Sequence, residues 1–204
     1  MKTAALLLSS GYEEGEAINI IDVLRRLQIE VTILSCEDSL YLKSYHDVVI
    51  KADDYLMTNQ EAVYDALILV GGPPNTDFLG SDALSIKMIQ KHINAGSYIA
   101  AICSSAAKVL AKNDLLGDHK YVCCGDFYKN YEDGAYTDRP IVIDGQFITG
   151  KDYGYTIDFS FVIAHLLLGE QRTRSPDMND IDWVAKHINY RRYKDYPKDF
   201  LVEV

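Results

Sequence analysis

Short apolar runs alternate with stretches of helical apolar spacing along most of this chain, and that alternation admits few folds. Thr3–Ser9 is apolar and is followed by Gly11, after which Ile18, Ile21, Val23, Leu24 and Leu27 recur at helical spacing. Ile29–Ser35 reads as a second strand and Asp47–Ile50 with its flanks as a small hairpin. Ala66–Val70 reads as a strand that runs into Gly71-Gly72-Pro73-Pro74, taken as a stop. Helices are predicted over Ser81–Asn94 and Ser104–Lys112, on either side of a buried strand at Tyr98–Ile102. Ile141–Ile143, Asp144-Gly145 and Gln146–Thr149 give a hairpin signal, and Thr156–Leu168 reads as a largely buried helix. The pattern predicts an α/β fold, a mainly parallel sheet with helices on both faces. Ligands of such folds lie beyond the carboxyl ends of the strands. Three strand ends therefore matter most: Ser10–Glu16, Gly71–Pro74 and Cys103–Ser105.

Composition narrows the function classes. The 204 residues, 48% of them apolar, can fill one core, and 20 basic against 30 acidic side chains give a net charge of -10. That charge argues against a general nucleic-acid binder. No apolar run approaches the roughly 18 to 20 residues of a membrane span. The apolar run near the N-terminus is too short for a signal peptide, so a cytoplasmic protein without a membrane partner is expected. Cys36, Cys103, Cys123 and Cys124 are too few for a disulfide framework and lack zinc spacing, so no metal is expected. The glycines form neither a phosphate loop nor a dinucleotide fingerprint, and no cofactor is expected. Residues 171–204 hold seven basic and six acidic side chains, unlike the acidic remainder. Ser175-Pro176 looks like a helix start, with Met178, Ile181, Val184 and Ile188 as an apolar stripe after it. One domain over 1–170 with a docked helical extension over 171–204 is the expectation.

Cys103 sits between the buried strand Tyr98–Ile102 and a run of small residues, Ser104-Ser105-Ala106-Ala107. A sharp strand-to-helix turn there would be a nucleophile elbow, with N–H groups at the helix start favouring the thiolate. Such a site can bring a cysteine pKa from about 8.5 down to roughly 3.5 to 7.5. From composition alone Cys103 reads better as an inert buried thiol, and Glu16 as one of three acids in a first helical turn. Position separates the readings.

Ala100-Ala101-Ile102-Cys103, Gly71-Gly72-Pro73 and Gly11-Tyr12-Glu13-Glu14-Gly15-Glu16, in that structural context, resemble the ThiJ/PfpI superfamily from Lys2 to about Gly169. The resemblance implies a flavodoxin-like three-layer sandwich, usually dimeric. Relatives include glyoxalases, reported deglycases, chaperones, oxidative-stress proteins and some peptidases. It implies that Cys103 is the reactive cysteine and Glu16 the acid against it, with the backbone N–H groups of Gly72 and Ser104 polarising a carbonyl oxygen.

One departure stands out. Where hydrolytic relatives place a histidine near the thiol, Ser104 follows Cys103 and Cys124 stands at the later position; Glu16, Asp126 or water would have to move protons instead. Cys124 facing Cys103 would make a resolving partner, whereas Cys123 and Cys124 could equally be alternating residues of a buried strand. The leading expectation is attack by Cys103 on a small carbonyl such as a glyoxal or a glycated amine. A thiol sensor responding to an oxidant comes second, and an amidase or peptidase third.

Overall fold

The computed structural model describes residues 1–169 and 180–190. In chain order the elements begin β1 (Thr3–Leu8), α1 (Glu14–Arg26), β2 (Glu30–Ser35), β3 (Tyr41–Lys43), β4 (Val49–Lys51), β5 (Asp54–Tyr55) and β6 (Ala66–Leu69). They continue with α2 (Pro73–Leu79), α3 (Ala83–Asn94), β7 (Tyr98–Ile102), β8 (Lys120–Tyr121), β9 (Ala135–Tyr136), β10 (Ile141–Asp144), β11 (Phe147–Gly150), α4 (Thr156–Leu168) and α5 (Ile181–His187). The seven-stranded sheet runs β10-β11-β7-β6-β1-β2-β5, parallel except for the β10–β11 hairpin at one edge. β3 and β4 pair as a separate antiparallel hairpin.

Side-chain alternation along the strands builds two cores. Ala4, Leu6 and Leu8 of β1, with Ile68 of β6 and Ala100 and Ile102 of β7, pack with α1 and α4. Ala5, Leu7, Leu67, Leu69, Ile99 and Ala101 face the other way, toward α3 and residues 106–111. Burial on both faces is what a central parallel strand requires, and it explains the continuous apolar runs. The protein is the expected α/β, flavodoxin-like three-layer sandwich. No helix among the described residues is long and apolar enough to cross a membrane.

Several local readings change. The Gly-Pro cluster ends β6 as expected and also opens a helix: Gly72 caps α2, and Pro73 and Pro74 begin it, where a missing N–H costs nothing. Val23, Leu24 and Leu27 are buried as expected, but Ile18 is 45% exposed and Ile21 only half-buried, and Ala17 and Ile20 fill the stripe of α1 in their place. After Cys103 the chain is not a plain α-helix. It winds as a π-helix over Ala106–Leu110 and a 3-10 turn over Ala111–Asn113. The end of α2 approaches it so closely that a Cβ on Gly80 would stand 2.2 Å from the Lys108 carbonyl oxygen.

Of the tail, α5 packs on α4 through Ile181, Val184 and Ala185, and the Tyr190 ring stacks on Phe161 while its hydroxyl meets Asp158. The helix start expected at Ser175-Pro176, Met178 of the stripe and residues 191–204 lie outside the described residues.

Candidate functional site

β1, β6 and β7 are adjacent and parallel, so their carboxyl ends bring the three punctuated loops to one edge of the sheet. Cys103 directly follows β7, and its φ of 63 is left-handed, a conformation rare for a residue with a Cβ and one that costs about 1 to 3 kcal/mol. This is the sharp elbow expected from the sequence. The backbone is pinned on both sides: the Cys103 N–H donates to Gly150 O at 3.0 Å, and its carbonyl accepts the Cys124 N–H at 3.2 Å.

Glu16, on the first turn of α1, is fully buried, and its Oε2 accepts the Gly71 N–H at 2.7 Å. Burial, reinforced by the Cys103 sulfur, pushes this carboxyl up to about 9. It is therefore neutral at pH 7. With Oε2 engaged as an acceptor, the proton belongs on Oε1, which has no hydrogen-bond partner of its own. Gly71 joins the two groups sterically: a Cβ there would lie 2.8 Å from Cys103 Sγ and 2.9 Å from Glu16 Oε2. Gly71 was not singled out in the sequence, although its Gly-Gly pair was the signal. Gly72 meets a different constraint, with a φ of 95 and a Cβ position 2.1 Å from Gly11 O.

The second thiol faces the first. Cys103 Sγ donates to Cys124 Sγ across 3.4 Å, and Cys123, next in the chain, points into the opposite core. Cys103, as donor in that hydrogen bond and as a buried group, is pushed up, while the Ser104 N–H and Glu16 act on it in the lowering direction. Cys124, as acceptor of the Cys103 S–H, is lowered. The contact between the sulfurs thus sets them apart, raising Cys103 as donor and lowering Cys124 as acceptor. That differs from the expectation that the elbow and Glu16 alone would lower Cys103, because the sequence could not show a hydrogen-bonded sulfur beside it. Burial pushes Cys36 up to about 12 and Cys123 up to about 11.

Other expected residues fall as follows. Ser104 is buried, with its hydroxyl 3.3 Å from that of Thr76. Asp126 does not join the thiols; its carboxylate is exposed and pairs with Lys129 at 2.9 Å. All five histidines are described, and each is placed elsewhere. His92 is buried between Met88 O and the Tyr64 N–H, His119 lies beside Asp144, and His46 meets Glu14 at 2.8 Å. His165 lies on α4, and His187 stacks on Trp183. A cavity of about 420 Å³ opens beside the start of α1, lined by Glu13, Glu14, Gly15, His46 and Tyr153. A roomier one, of about 770 Å³, lies over α3 and is lined by none of these thiols or by Glu16.

Comparison with known proteins gives a consistent result. The DJ-1/PfpI family matches residues 2–166. Protein dj-1beta of Drosophila melanogaster is 30% identical over 177 residues, covering 85% of this chain and 93% of that protein. Protein DJ-1 homolog B of Arabidopsis thaliana is 30% identical over 84% of this chain, which spans only 39% of that longer protein. Among solved structures, a cysteine-to-alanine mutant of a DJ-1 superfamily protein from Salmonella typhimurium superposes with a TM-score of 0.86 at 40% identity, covering 94% of this chain and 100% of that one.

Proposed function

Because the chain belongs to the DJ-1/PfpI family, we propose that it is a stress-protein or deglycase-type member in which Cys103 adds to small reactive carbonyl compounds such as glyoxals and glycated amines. The observation that carries this reading is the neutral Glu16 carboxyl against the Cys103 thiol, both within 3 Å of one point over Gly71. In the proposed chemistry the thiol pair first loses one proton to water, and the remaining Cys103 proton passes to Cys124 as the Cys103 sulfur bonds the aldehyde carbon. The carbonyl electron pair moves to oxygen, which takes the proton from Glu16 Oε1 to leave a hemithioacetal. The N–H groups of Gly72 and Ser104 would hold that oxygen as its charge develops.

Without an imidazole at the thiols, later proton transfers from the substrate carbon fall to the Glu16 carboxylate. Turnover is therefore expected to be slow, since a tuned general base contributes typically 10² to 10⁴ in rate. The same lack counts against an amidase or peptidase. Incubating the reduced protein with methylglyoxal and following formation of the 2-hydroxy acid tests the reading.

A homodimer is the proposed assembly. Ile18 lies one turn after Glu14, on the α1 face that meets His46 of the β3–β4 hairpin, where Tyr45, Val48 and Val49 are also exposed. An apolar group of this kind suits a second copy of the chain. We place the protein in the cytoplasm, where free thiols persist.

A further inference from the structure

We propose that hydroperoxides convert Cys103 and Cys124 into an intramolecular disulfide that reversibly shuts the site and keeps Cys103 from irreversible oxidation. The inference rests on the reading of Cys103 as a nucleophile, and it assigns Cys124 the part of resolving thiol. Geometry carries it. The two sulfurs are 3.4 Å apart, so closing to a bond of about 2.05 Å needs a movement of little more than an ångström. The backbones are already adjacent, joined by the Cys124 N–H to Cys103 carbonyl hydrogen bond. Both thiols are partly exposed, whereas Cys123 is buried in the other core and cannot compete for the same partner.

The chemistry balances in two steps. The pair loses one proton to water, the remaining Cys103 proton passes to Cys124, and the Cys103 sulfur attacks the hydroxyl oxygen of ROOH; the O–O bond breaks and the departing RO⁻ takes the Glu16 proton, leaving Cys103–S–OH and ROH. Glu16 regains a proton from water. The Cys124 sulfur then attacks the Cys103 sulfur, the S–O bond breaks, and the hydroxyl leaves as water with the Cys124 proton. In sum, two thiols and ROOH give a disulfide, ROH and water, and two equivalents of a low-molecular-weight thiol reverse the change while being oxidised to their own disulfide. A resolving sulfur in contact captures the sulfenic acid before a second peroxide can reach it.

The test treats the full, reduced chain with hydrogen peroxide, alkylates the remaining thiols and reads intact mass and peptide map. The expected product has lost about 2 Da, has both thiols closed to iodoacetamide, yields a Cys103–Cys124 linked peptide and reverts with dithiothreitol. Cys124→Ser should instead gain about 32 Da at Cys103 as sulfinic acid. Wild-type protein that gains about 32 Da at Cys103 with Cys124 still open to alkylation overturns the proposal. So does a linkage through Cys36 or Cys123, and neither result depends on how the variant folds. Carbonyl turnover is assayed separately, on reduced protein without peroxide. Its failure alone would leave the disulfide standing and remove the carbonyl reading, and a missing disulfide beside intact turnover would do the reverse.

Discussion

Glu16 accepts the Gly71 N–H through Oε2 at 2.7 Å, while its other oxygen, Oε1, is buried and makes no hydrogen bond. An unanswered buried donor is costly in a structural role, because each such group forfeits about 1 to 3 kcal/mol. It is useful where a substrate oxygen or a thiolate is to receive that proton.

Glu16→Gln keeps the shape and removes the proton. Folded Glu16, at about 9 against an ordinary 4.5, holds its proton more tightly than the unfolded chain does. Its contribution to stability is therefore complete below pH 4.5 and is lost as pH rises through about 9. Relative to the variant, the wild type should lose up to about 1.4 kcal/mol per pH unit across that window. Urea melts of both proteins at several pH values check this, and parallel curves would make Glu16 an ordinary ionised acid.

Gly71→Ala should destabilise the fold by about 1 to 3 kcal/mol, because the new methyl meets Cys103 and Glu16 at less than 3 Å. It should also slow alkylation of the pair. A variant with unchanged melting temperature and unchanged labelling would show that the three groups are not crowded together.

Those two residues mark what a sequence can and cannot give. Strand and helix alternation made the sandwich, the β10–β11 hairpin and α4 legible, since each rests on local periodicity. The elbow was legible too, because a buried strand running directly into small residues marks a strand-to-helix turn at Cys103. Gly71 was passed over for Gly72, since whether a glycine serves a turn or a close approach depends on what the fold puts opposite it. Whether Cys124 faces Cys103 stayed open for the same reason. A strand shows which side chains alternate, but the short β8 and the contact across from it decide where the second thiol points. Asp126 is near the thiols in sequence, but its carboxylate is exposed and pairs with Lys129.

Thiol reactivity should follow the environments. Limiting iodoacetamide at neutral pH should modify the Cys103–Cys124 pair well before Cys36 or Cys123, which burial pushes up to about 12 and about 11. Mapped peptides give the order directly, and earlier labelling of Cys36 would contradict it.

Val184, fully buried where α5 packs on α4, should cost about 1 to 3 kcal/mol when replaced by alanine. A melting temperature unchanged by Val184→Ala would show that this helix adds nothing to the domain.

Cys124→His would put an imidazole where the proton chemistry lacks one. Carbonyl turnover should rise by about tenfold or more, and the peroxide-driven disulfide should vanish from the same variant. No gain in rate would mean that proton transfer to a base does not limit the reaction.

Whether Cys103 forms the bond to the carbonyl carbon is read from methylglyoxal turnover by reduced wild type, Cys103→Ser and Glu16→Gln. Slow but measurable product formation is expected from the wild type, with loss to background in Cys103→Ser and a fall of about tenfold or more in Glu16→Gln. Turnover by Cys103→Ser equal to that of the wild type would contradict bond formation by Cys103.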